Sequence, residues 1–304
     1  MTTVTSERHA SRGARRPTHH HRAAIIGFSA PFLILFAGFY ILPIAYAIGQ
    51  SFVKVTRTSA YAPPVEVFAG LDQYVRVFQN ASFWESLGRV LLLLVTQVPL
   101  TIVLGLVFAL LIDSTFVKGR RFFRFVFFAP YAVPGVVGAI MWGFFYAPTL
   151  SPLPQLAAQF DLLDGSMIMV ALTNIIFWTV AGFNMLIMYS ALQSIPQDLY
   201  EAAKIDGATH LRLAWSIKIP LIMPSIVMTA VLSIIGTLQL FNEPTVLQSL
   251  SKAVGLDFTP NMLVYATAGI PNYNLAAAFS VVLALGTSIL SFAFLRFTQN
   301  RAFA

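Results

Sequence analysis

The chain contains 304 residues, of which 57% are hydrophobic and only 10% are charged, and its formal net charge is +7. Because soluble globular proteins carry about 25% charged residues, this composition excludes an ordinary soluble fold and predicts an all-α, polytopic membrane protein. The chain contains 0 cysteines, which excludes a disulfide framework, thiol catalysis and a cysteine-ligated metal site. The positive charge requires no nucleic-acid partner, since basic residues gather beside anionic lipid headgroups. The lipid bilayer is the partner that the composition implies.

Six apolar segments are long enough to cross the roughly 30 Å of membrane hydrocarbon, for which a helix needs about 20 residues. These predicted spans lie near residues 25–48, 88–112, 123–146, 167–192, 225–247 and 275–296. Most of the 19 Lys and Arg residues precede the first span, follow the last, or lie between spans two and three or four and five. Because basic residues collect on the cytoplasmic side, we expect both termini to be cytoplasmic.

The N-terminal residues 1–24 form a basic tail that we expect to be disordered. Its His19-His20-His21 cluster is interpreted as part of a solvated tail rather than as a metal site. The apolar run that follows is too long for a signal peptide, so it is predicted to be an uncleaved first helix. Residues 25–84 are assigned to this helix and to an external amphipathic loop that ends at Phe83-Trp84.

Two features mark the second and third spans. Arg89 stands at the start of the second span, where we expect it to snorkel outward or to pair with Glu85 at i−4. The third span contains Pro130-Tyr131-Ala132-Val133-Pro134-Gly135, which predicts a break in its helix. Irregular backbone at membrane depth is tolerated only inside protein or along a cavity, so this break favours a transport path over a simple anchor.

The fourth span carries amide and aromatic side chains that could line such a path. Asn174 and Trp178 share a helical face by i, i+4 spacing, and Phe183 lies beside Asn184. Aromatic faces and amides together suit a sugar, whose C–H face stacks on rings while its hydroxyls bind amides. The same residues could instead serve helix packing, and both interpretations stay open at this point.

Residues 198–224, which we call the elbow, lie between the fourth and fifth spans. Pro196 can open a short helix, and Asp206-Gly207 can end it because Gly accepts the left-handed conformation that follows a last turn. Thr209 can cap a second helix, which we expect to stop before Pro220. The pattern predicts a helix-turn-helix at the cytoplasmic membrane surface.

The fifth span contains a polar stripe. Gln239, Asn242 and Glu243 recur at i, i+3 and i+4, so a continuous helix would place all three on one face. Polar groups inside a membrane are costly unless they face a cavity or another helix. The stripe is therefore either part of a substrate path or an interhelical hydrogen-bond cluster.

The elbow resembles the cytoplasmic coupling loop of binding-protein-dependent ABC importer permeases of the maltose and lactose type. The resemblance runs over about residues 25–297 and includes the segments 259–265 and 272–278, which are similar to those of disaccharide and oligosaccharide permeases. It implies a type I ABC importer core over residues 85–297 and a cytoplasmic tail over 298–304. It also implies a set of residues that contact an ATPase: Glu201, Ala202, Ala203, Asp206, Gly207, Ile217 and Pro220.

That resemblance implies a permease subunit that is not itself an enzyme. Its expected partners are a homologous second permease, two copies of an ABC ATPase and an external sugar-binding protein. No Gly-rich loop ending in Lys-Ser or Lys-Thr is present, so this chain is expected to bind no cofactor, and the ATPase would hold ATP and Mg²⁺. The alternative is an ion-coupled carrier, for which Glu243 is the strongest ionisable candidate.

Overall fold

The computed structural model describes residues 19–57, 63–114, 116–269 and 272–302. Two short strands are present, β1 Val53–Thr56 and β2 Val65–Phe68. The α-helices are α1 His19–Phe36, α2 Leu42–Gln50, α3 Asp72–Gln79, α4 Ala81–Asp113, α5 Arg120–Phe128, α6 Gly135–Tyr146, α7 Pro154–Phe160, α8 Ile168–Gln193, α9 Gln197–Ile205, α10 His210–Leu213, α11 Ile219–Leu221, α12 Met223–Leu238, α13 Asn242–Leu247, α14 Pro260–Gly269 and α15 Tyr273–Ala302.

The predicted membrane spans correspond to helices of the structure. Across the described ranges, five helices are long and apolar enough to cross a membrane, and a sixth span is formed when the bent pair α5 and α6 is counted as one. The all-α, six-span prediction is therefore confirmed. The first helix starts at His19, inside the predicted tail, because polar residues can extend a helix beyond its apolar span. Residues 1–18 of that tail lie outside the described residues.

The chain divides into two compact units, one ending at Gly49 and one beginning at Gln50. In the first unit, α1 passes through a π turn, Ala37–Ile41, into α2. Its side chains from Ile26 onward are largely exposed and apolar, and Phe32, Phe36 and Tyr40 stack at centroid distances of 5.9 and 5.4 Å. A helix that is apolar on all sides suits a lipid environment.

The second unit begins with a small antiparallel hairpin in which Val53 faces Phe68 and Thr56 faces Val65. The amphipathic helix α3 follows, as predicted for the loop after the first span. Lys54 Nζ lies 3.0 Å from Asp72 Oδ2, and this hydrogen bond, followed by the Lys54 charge, lowers the pKa of the Asp72 carboxyl.

The loop ends earlier than predicted. Helix α4 begins at Ala81, so Phe83 and Trp84 belong to the second span and not to the loop that was assigned to residues 25–84. The reason is the side chain of Asn80, which accepts a hydrogen bond from the Phe83 N–H at 3.0 Å and caps the helix.

Helix α8 is packed against α4 and α5 at two glycines. A Cβ atom at Gly105 of α4 would lie 3.1 Å from the Asn184 Cβ of α8. At Gly182 of α8, a Cβ atom would overlap the carbonyl oxygen of Phe127 in α5. These positions let the backbones approach closely, which is the usual packing of membrane helices. Buried side chains such as Ile112, Met185 and Met188 fill the space beside them.

Arg89 fastens α4 to the segment before α14. Its guanidinium lies 3.2 Å from Glu85 Oε2, which confirms the predicted pair. It also donates to the carbonyl oxygens of Asp257 and Phe258 at 3.0 and 3.2 Å, and it stands 5.4 Å from the centroid of the Phe258 ring. These long-range contacts, which spacing along the chain does not reveal, give the partly buried guanidinium hydrogen-bond partners inside the protein.

The third span breaks where its prolines predicted. Helix α5 ends at Phe128, a 3₁₀ turn covers Ala129–Ala132, and α6 starts after Pro134. The two halves of the span are bent by 96°. Each proline lacks an N–H and cannot continue a regular hydrogen-bond ladder, so the bend is concentrated between them.

Candidate functional site

The first arm of the elbow is the short helix α9. Pro196 stands at its N-cap with ψ 138°, and Asp198 lies in the first turn, at the positive end of the helix. Gly207 adopts φ +76°, while its N–H donates to the Lys204 carbonyl at 3.0 Å and the Ala208 N–H donates to the Ala203 carbonyl at 2.9 Å. These two bonds form a Schellman motif, so the predicted stop at Gly207 has the expected geometry.

The second arm differs from the prediction at its end. Thr209 Oγ1 accepts from the Arg212 N–H at 3.3 Å and caps α10, as expected. The helix does not stop before Pro220 but continues through a π turn, Ala214–Lys218, into α11. In the π turn the Ile219 N–H donates to the Ala214 carbonyl, five residues back. The wider turn moves carbonyl groups away from the Pro220 ring, which removes the clash that would end an ordinary α-helix.

The predicted ATPase-contact residues separate into a surface group and an anchoring group. The surface group contains five exposed residues. The anchoring group contains Ala203, which is buried, and Ile217, which is partly buried. The exposed positions are Glu201, Ala202, Asp206, Gly207 and Pro220.

Three large apolar side chains that the sequence reading missed lie on the same elbow: Ile205, Leu211 and Trp215 are 86%, 70% and 67% exposed. Leu211 and Trp215 are four residues apart, which suits one helical face, but Ile205 lies on the other arm, so spacing alone does not group the three. Exposed apolar groups of this size, interspersed with Glu201 and Asp206, are typical of a protein-docking surface.

A partly buried ion pair connects the elbow to the membrane helices. Lys218 Nζ lies 2.5 Å from Asp113 Oδ2, at the end of α4, and the two side chains are only 13% and 9% exposed. The other carboxylate oxygen, Asp113 Oδ1, accepts from Gln193 Nε2 of α8 at 2.7 Å. The Asp113 carboxylate thus binds Lys218 of the elbow through one oxygen and Gln193 of α8 through the other. These two contacts fix the position of the elbow relative to α4 and α8.

Tyr200 of α9 completes this cluster. The Lys218 ammonium stands 5.2 Å from the centroid of its ring, and its hydroxyl donates to the Leu192 carbonyl at 3.5 Å. Burial, and then the negative charge of Asp113, raise the pKa of Tyr200 to about 12. The phenol is therefore neutral at physiological pH and can keep donating. Cluster members come from four separate segments, and only the folded structure brings them together.

A cavity of about 520 Å³ lies among the second, third, fourth and fifth spans, and we call it the polar cavity because amide, hydroxyl and carboxyl groups interrupt its mainly apolar lining. At the break of the third span, Tyr131 stacks on Phe183 with centroids 4.6 Å apart and ring planes inclined by 13°. Five of the predicted path residues line the cavity, namely Phe183, Asn184, Gln239, Asn242 and Glu243. Polar or aromatic lining residues that the sequence analysis did not predict are Gln97, Tyr131, Thr179, Ser233, Thr237 and Phe241.

The polar stripe of the fifth span is not on one continuous helix, contrary to the prediction. Helix α12 ends at Leu238, and α13 starts at Asn242 after a short break. Pro244 explains the break, because its ring would clash with the carbonyl of Leu240 in a continuous helix. Although the shared-face prediction is wrong, Gln239, Asn242 and Glu243 still line one cavity.

The amide side chains that line this cavity are of two kinds: some are hydrogen-bonded to neighbouring protein groups, and others are not. The Asn184 amide donates to Ser233 Oγ at 3.3 Å, and Gln97 Oε1 accepts from Thr237 Oγ1 at 2.8 Å. In contrast, the Gln239 and Asn242 side chains are exposed to the cavity and form no hydrogen bond within the described residues. Their donors and acceptors are available to a ligand.

Asn174 and Trp178 are placed elsewhere. The Asn174 amide donates to the Tyr146 hydroxyl at 2.7 Å, and Trp178 meets Trp142 edge to face at a centroid distance of 6.0 Å. Neither residue lines the cavity, so the structure favours a packing role for both. The two residues do lie four positions apart on α8, as predicted, but this spacing does not show which residues of other helices they contact.

The cavity lining carries one carboxylate and no basic side chain within the described residues. The Glu243 carboxylate oxygen would lie 2.9 Å from a Cβ atom at Gly135, so it stands against the first turn of α6. In the part of the chain that the structure describes, no group of three His, Asp or Glu side chains could hold a metal ion.

Comparison with known proteins gives consistent matches. The family described as "Binding-protein-dependent transport system inner membrane component" matches residues 101–303, more than half of the chain. The trehalose/maltose transport system permease protein MalF of Thermococcus litoralis is 28% identical, over 86% of this chain and 90% of that protein. The sn-glycerol-3-phosphate transport system permease protein UgpA of Agrobacterium fabrum is 30% identical, over 90% and 93%.

A solved structure of a bacterial alginate ABC transporter, in complex with an alginate pentasaccharide-bound periplasmic protein, contains a chain with the same fold. The TM-score is 0.77 at 19% identity, and the similarity covers 93% of this chain and 96% of that chain. At this identity the similarity concerns the fold alone.

The buried ion pair leads to a stability prediction. Lys218→Met would leave the partly buried Asp113 carboxylate without its counter-ion, so we expect the free energy of unfolding to fall by about 1–3 kcal/mol. The double variant Asp113→Asn/Lys218→Met removes both charges and should recover most of that loss. Thermal unfolding of the purified chain in detergent measures both effects.

Lys252→Met serves as the control, because Lys252 is exposed and forms no salt bridge within the described residues. Its unfolding free energy should change by less than about 0.5 kcal/mol. Equal destabilisation by Lys218→Met and Lys252→Met would contradict the buried pair.

Proposed function

The chain belongs to the family of binding-protein-dependent transport system inner membrane components, and we propose that it serves there as a permease subunit of an ATP-driven importer of neutral sugars. The observation that carries this proposal is the exposed elbow around Gly207, which is anchored by Lys218 to Asp113 of α4. Such an arrangement offers a docking surface on one side and a rigid connection to the membrane helices on the other. A multi-pass membrane protein needs a docking surface and a rigid connection of this kind if a soluble ATPase is to change its conformation.

The proposed assembly contains a second, homologous permease, two ABC ATPase subunits and an external binding protein that delivers the sugar. Relatives named as maltose and glycerol-phosphate transport permeases support this composition, as does the alginate transporter solved with a periplasmic protein. ATP and Mg²⁺ would be held by the ATPase, which also hydrolyses ATP. The concentration of basic residues beside the elbow supports a cytoplasmic location for the elbow and for both termini.

Coupling follows from the connections of the elbow. Closure of the ATPase dimer would press on the surface formed by Glu201, Ala202, Asp206 and Gly207. The Lys218–Asp113 pair would pass this displacement to α4, and the continuous helix through Pro220 would pass it towards α12. Because Ser233 and Thr237 of α12 line the polar cavity, a shift of α12 changes the cavity walls. ATP and the loaded binding protein must then favour the same state of the cavity.

The cavity lining supports a neutral, polyhydroxylated substrate. Free amides of Gln239 and Asn242 can exchange hydrogen bonds with hydroxyl groups, and the stacked Tyr131 and Phe183 offer an aromatic face. A phosphate or carboxylate would find no basic side chain in the described lining to neutralise its charge. We therefore favour a disaccharide or oligosaccharide over a glycerol phosphate.

The ion-coupled carrier is the less favoured function. It would have required Glu243 to take up and release a coupling ion, whereas membership of the family supports coupling through the elbow. The Glu243 carboxylate is instead assigned to the wall of the substrate path, against the first turn of α6.

Gly207 gives a direct test of coupling. Because φ is +76° at this position, Gly207→Val would strain the turn and displace the docking surface, so sugar uptake per ATP hydrolysed should fall at least about tenfold. Gly207→Asn is the matched control, since Asn tolerates the left-handed conformation and should retain most of the coupling. Both ratios are measured in proteoliposomes of the assembled importer. Normal coupling in the Val variant, with normal insertion, would refute this role.

The free amides give a test of the substrate path. Gln239→Ala and Asn242→Ala should each raise the sugar concentration for half-maximal uptake by about 3- to 10-fold, the cost of one or two lost hydrogen bonds. Maltose and trehalose are the first probes. Asn174→Ala is the control, because its amide is already bonded to Tyr146 outside the cavity. If only the Asn174 variant changes the uptake affinity, the cavity is not the substrate path.

A further inference from the structure

A second charged site lies at the beginning of α5, beside the elbow. Phe116, just before this helix, meets His210 of α10 edge to face with ring centroids 5.0 Å apart. The first residue of α5, Arg120, lines a cavity together with Glu201 and Lys204 of the elbow. The start of α5 and the elbow are therefore at the same membrane surface.

Three arginines crowd this end of α5 at positions that are electrostatically unfavourable. Arg120 and Arg121 occupy the first turn, where the positive end of the helix repels cations. Arg124 lies four residues after Arg120 on the same face, and like charges at this spacing destabilise a helix. Within the described residues, no carboxylate forms a salt bridge with any of the three. An anion bound between them would relieve all of these repulsions.

The arginines surround a shallow cleft of about 650 Å³, which is also lined by Val117, Gly119 and Tyr189. Two guanidinium groups are held in place around it. Arg120 donates to the Ser114 carbonyl at 3.1 Å, and the Arg124 guanidinium lies over the Tyr189 ring, 5.7 Å from its centroid. Both side chains are partly buried, whereas Arg121 is exposed. Fixed guanidinium forks at a cleft match the geometry of phosphate oxygens.

We propose that this cleft, formed by Arg120, Arg121, Arg124 and Tyr189, binds the phosphate headgroup of an anionic phospholipid. A lipid is favoured over free phosphate because exposed apolar side chains continue from the cleft along the same helix: Phe122 is 65% and Phe125 is 70% exposed. The helix is the first half of a membrane span, so the cleft stands at headgroup level while the phenylalanines can contact acyl chains. The inference goes beyond the proposed transport function and does not depend on the substrate.

The test measures binding of phosphatidylglycerol to the full chain by native mass spectrometry from detergent. Arg120→Gln/Arg124→Gln should weaken binding at least about tenfold, because each lost fork removes charge-assisted hydrogen bonds. The control variant Arg57→Gln/Arg76→Gln removes the same number of positive charges, from the end of β1 and from α3. It should leave the affinity for phosphatidylglycerol within about twofold of that of the unmodified chain. Phosphatidylcholine, which has no net charge, should bind the unmodified chain much more weakly than phosphatidylglycerol.

A charge-preserving variant covers the case in which the Gln variant inserts incorrectly. Arg120→Lys/Arg124→Lys keeps the basic charge that directs insertion but loses the planar forks, so it should insert normally and bind phosphatidylglycerol several-fold more weakly. Unchanged lipid binding in a correctly inserted variant of either kind overturns the proposal.

Two further outcomes would also overturn the lipid assignment. Displacement of phosphatidylglycerol by millimolar inorganic phosphate would show that the cleft recognises the free anion. Retained lipid binding with loss of a co-purifying ATPase in the Gln variant would show that the arginines dock a protein.

Discussion

Backbone hydrogen bonding in a membrane is the constraint on which the rest of the structure depends. Inside hydrocarbon, an interrupted helix is tolerated only where its freed polar groups are buried in protein or face a cavity. This chain interrupts two spans, at Ala129–Ala132 and again between Leu238 and Asn242. Both interruptions border the same polar cavity, which Tyr131 and Gln239 line. The prolines that break these helices therefore determine where a polar path can exist.

The elbow and the cavity are joined by a run of consecutive helical segments and one partly buried ion pair. From Thr209 to Leu238 the chain runs through helical turns with breaks only near Ile222, and Lys218 within it is held by Asp113. The elbow surface stays exposed because its anchors, Ala203 and Lys218, are buried or partly buried beneath it. In the proposed coupling, docking and transmission would use different residues of the same segment.

Local signals carried most of the sequence predictions. Span length and hydropathy predicted six spans, Pro130 and Pro134 predicted the bend, and Gly207 predicted the turn that ends α9. The predictions were wrong where the same residue type can be accommodated by two different backbone structures. Pro220 is accommodated by a π turn, whereas Pro244 breaks its span, and sequence spacing does not distinguish them. The partners of Asn174 and Asp113, and the two carbonyl groups that bind Arg89, are distant in the chain, so these contacts required the fold.

Alternating access of the polar cavity is tested most directly with a single cysteine. The chain contains 0 cysteines, so Gln239→Cys would place its sole thiol on the cavity wall. In the assembled importer with its loaded binding protein, a membrane-impermeant thiol reagent is applied from either side, with and without a non-hydrolysable ATP analogue. We predict that the analogue lowers labelling from the elbow side and raises it from the opposite side. Labelling that is the same from both sides, with or without the analogue, would contradict coupling between the elbow and the cavity.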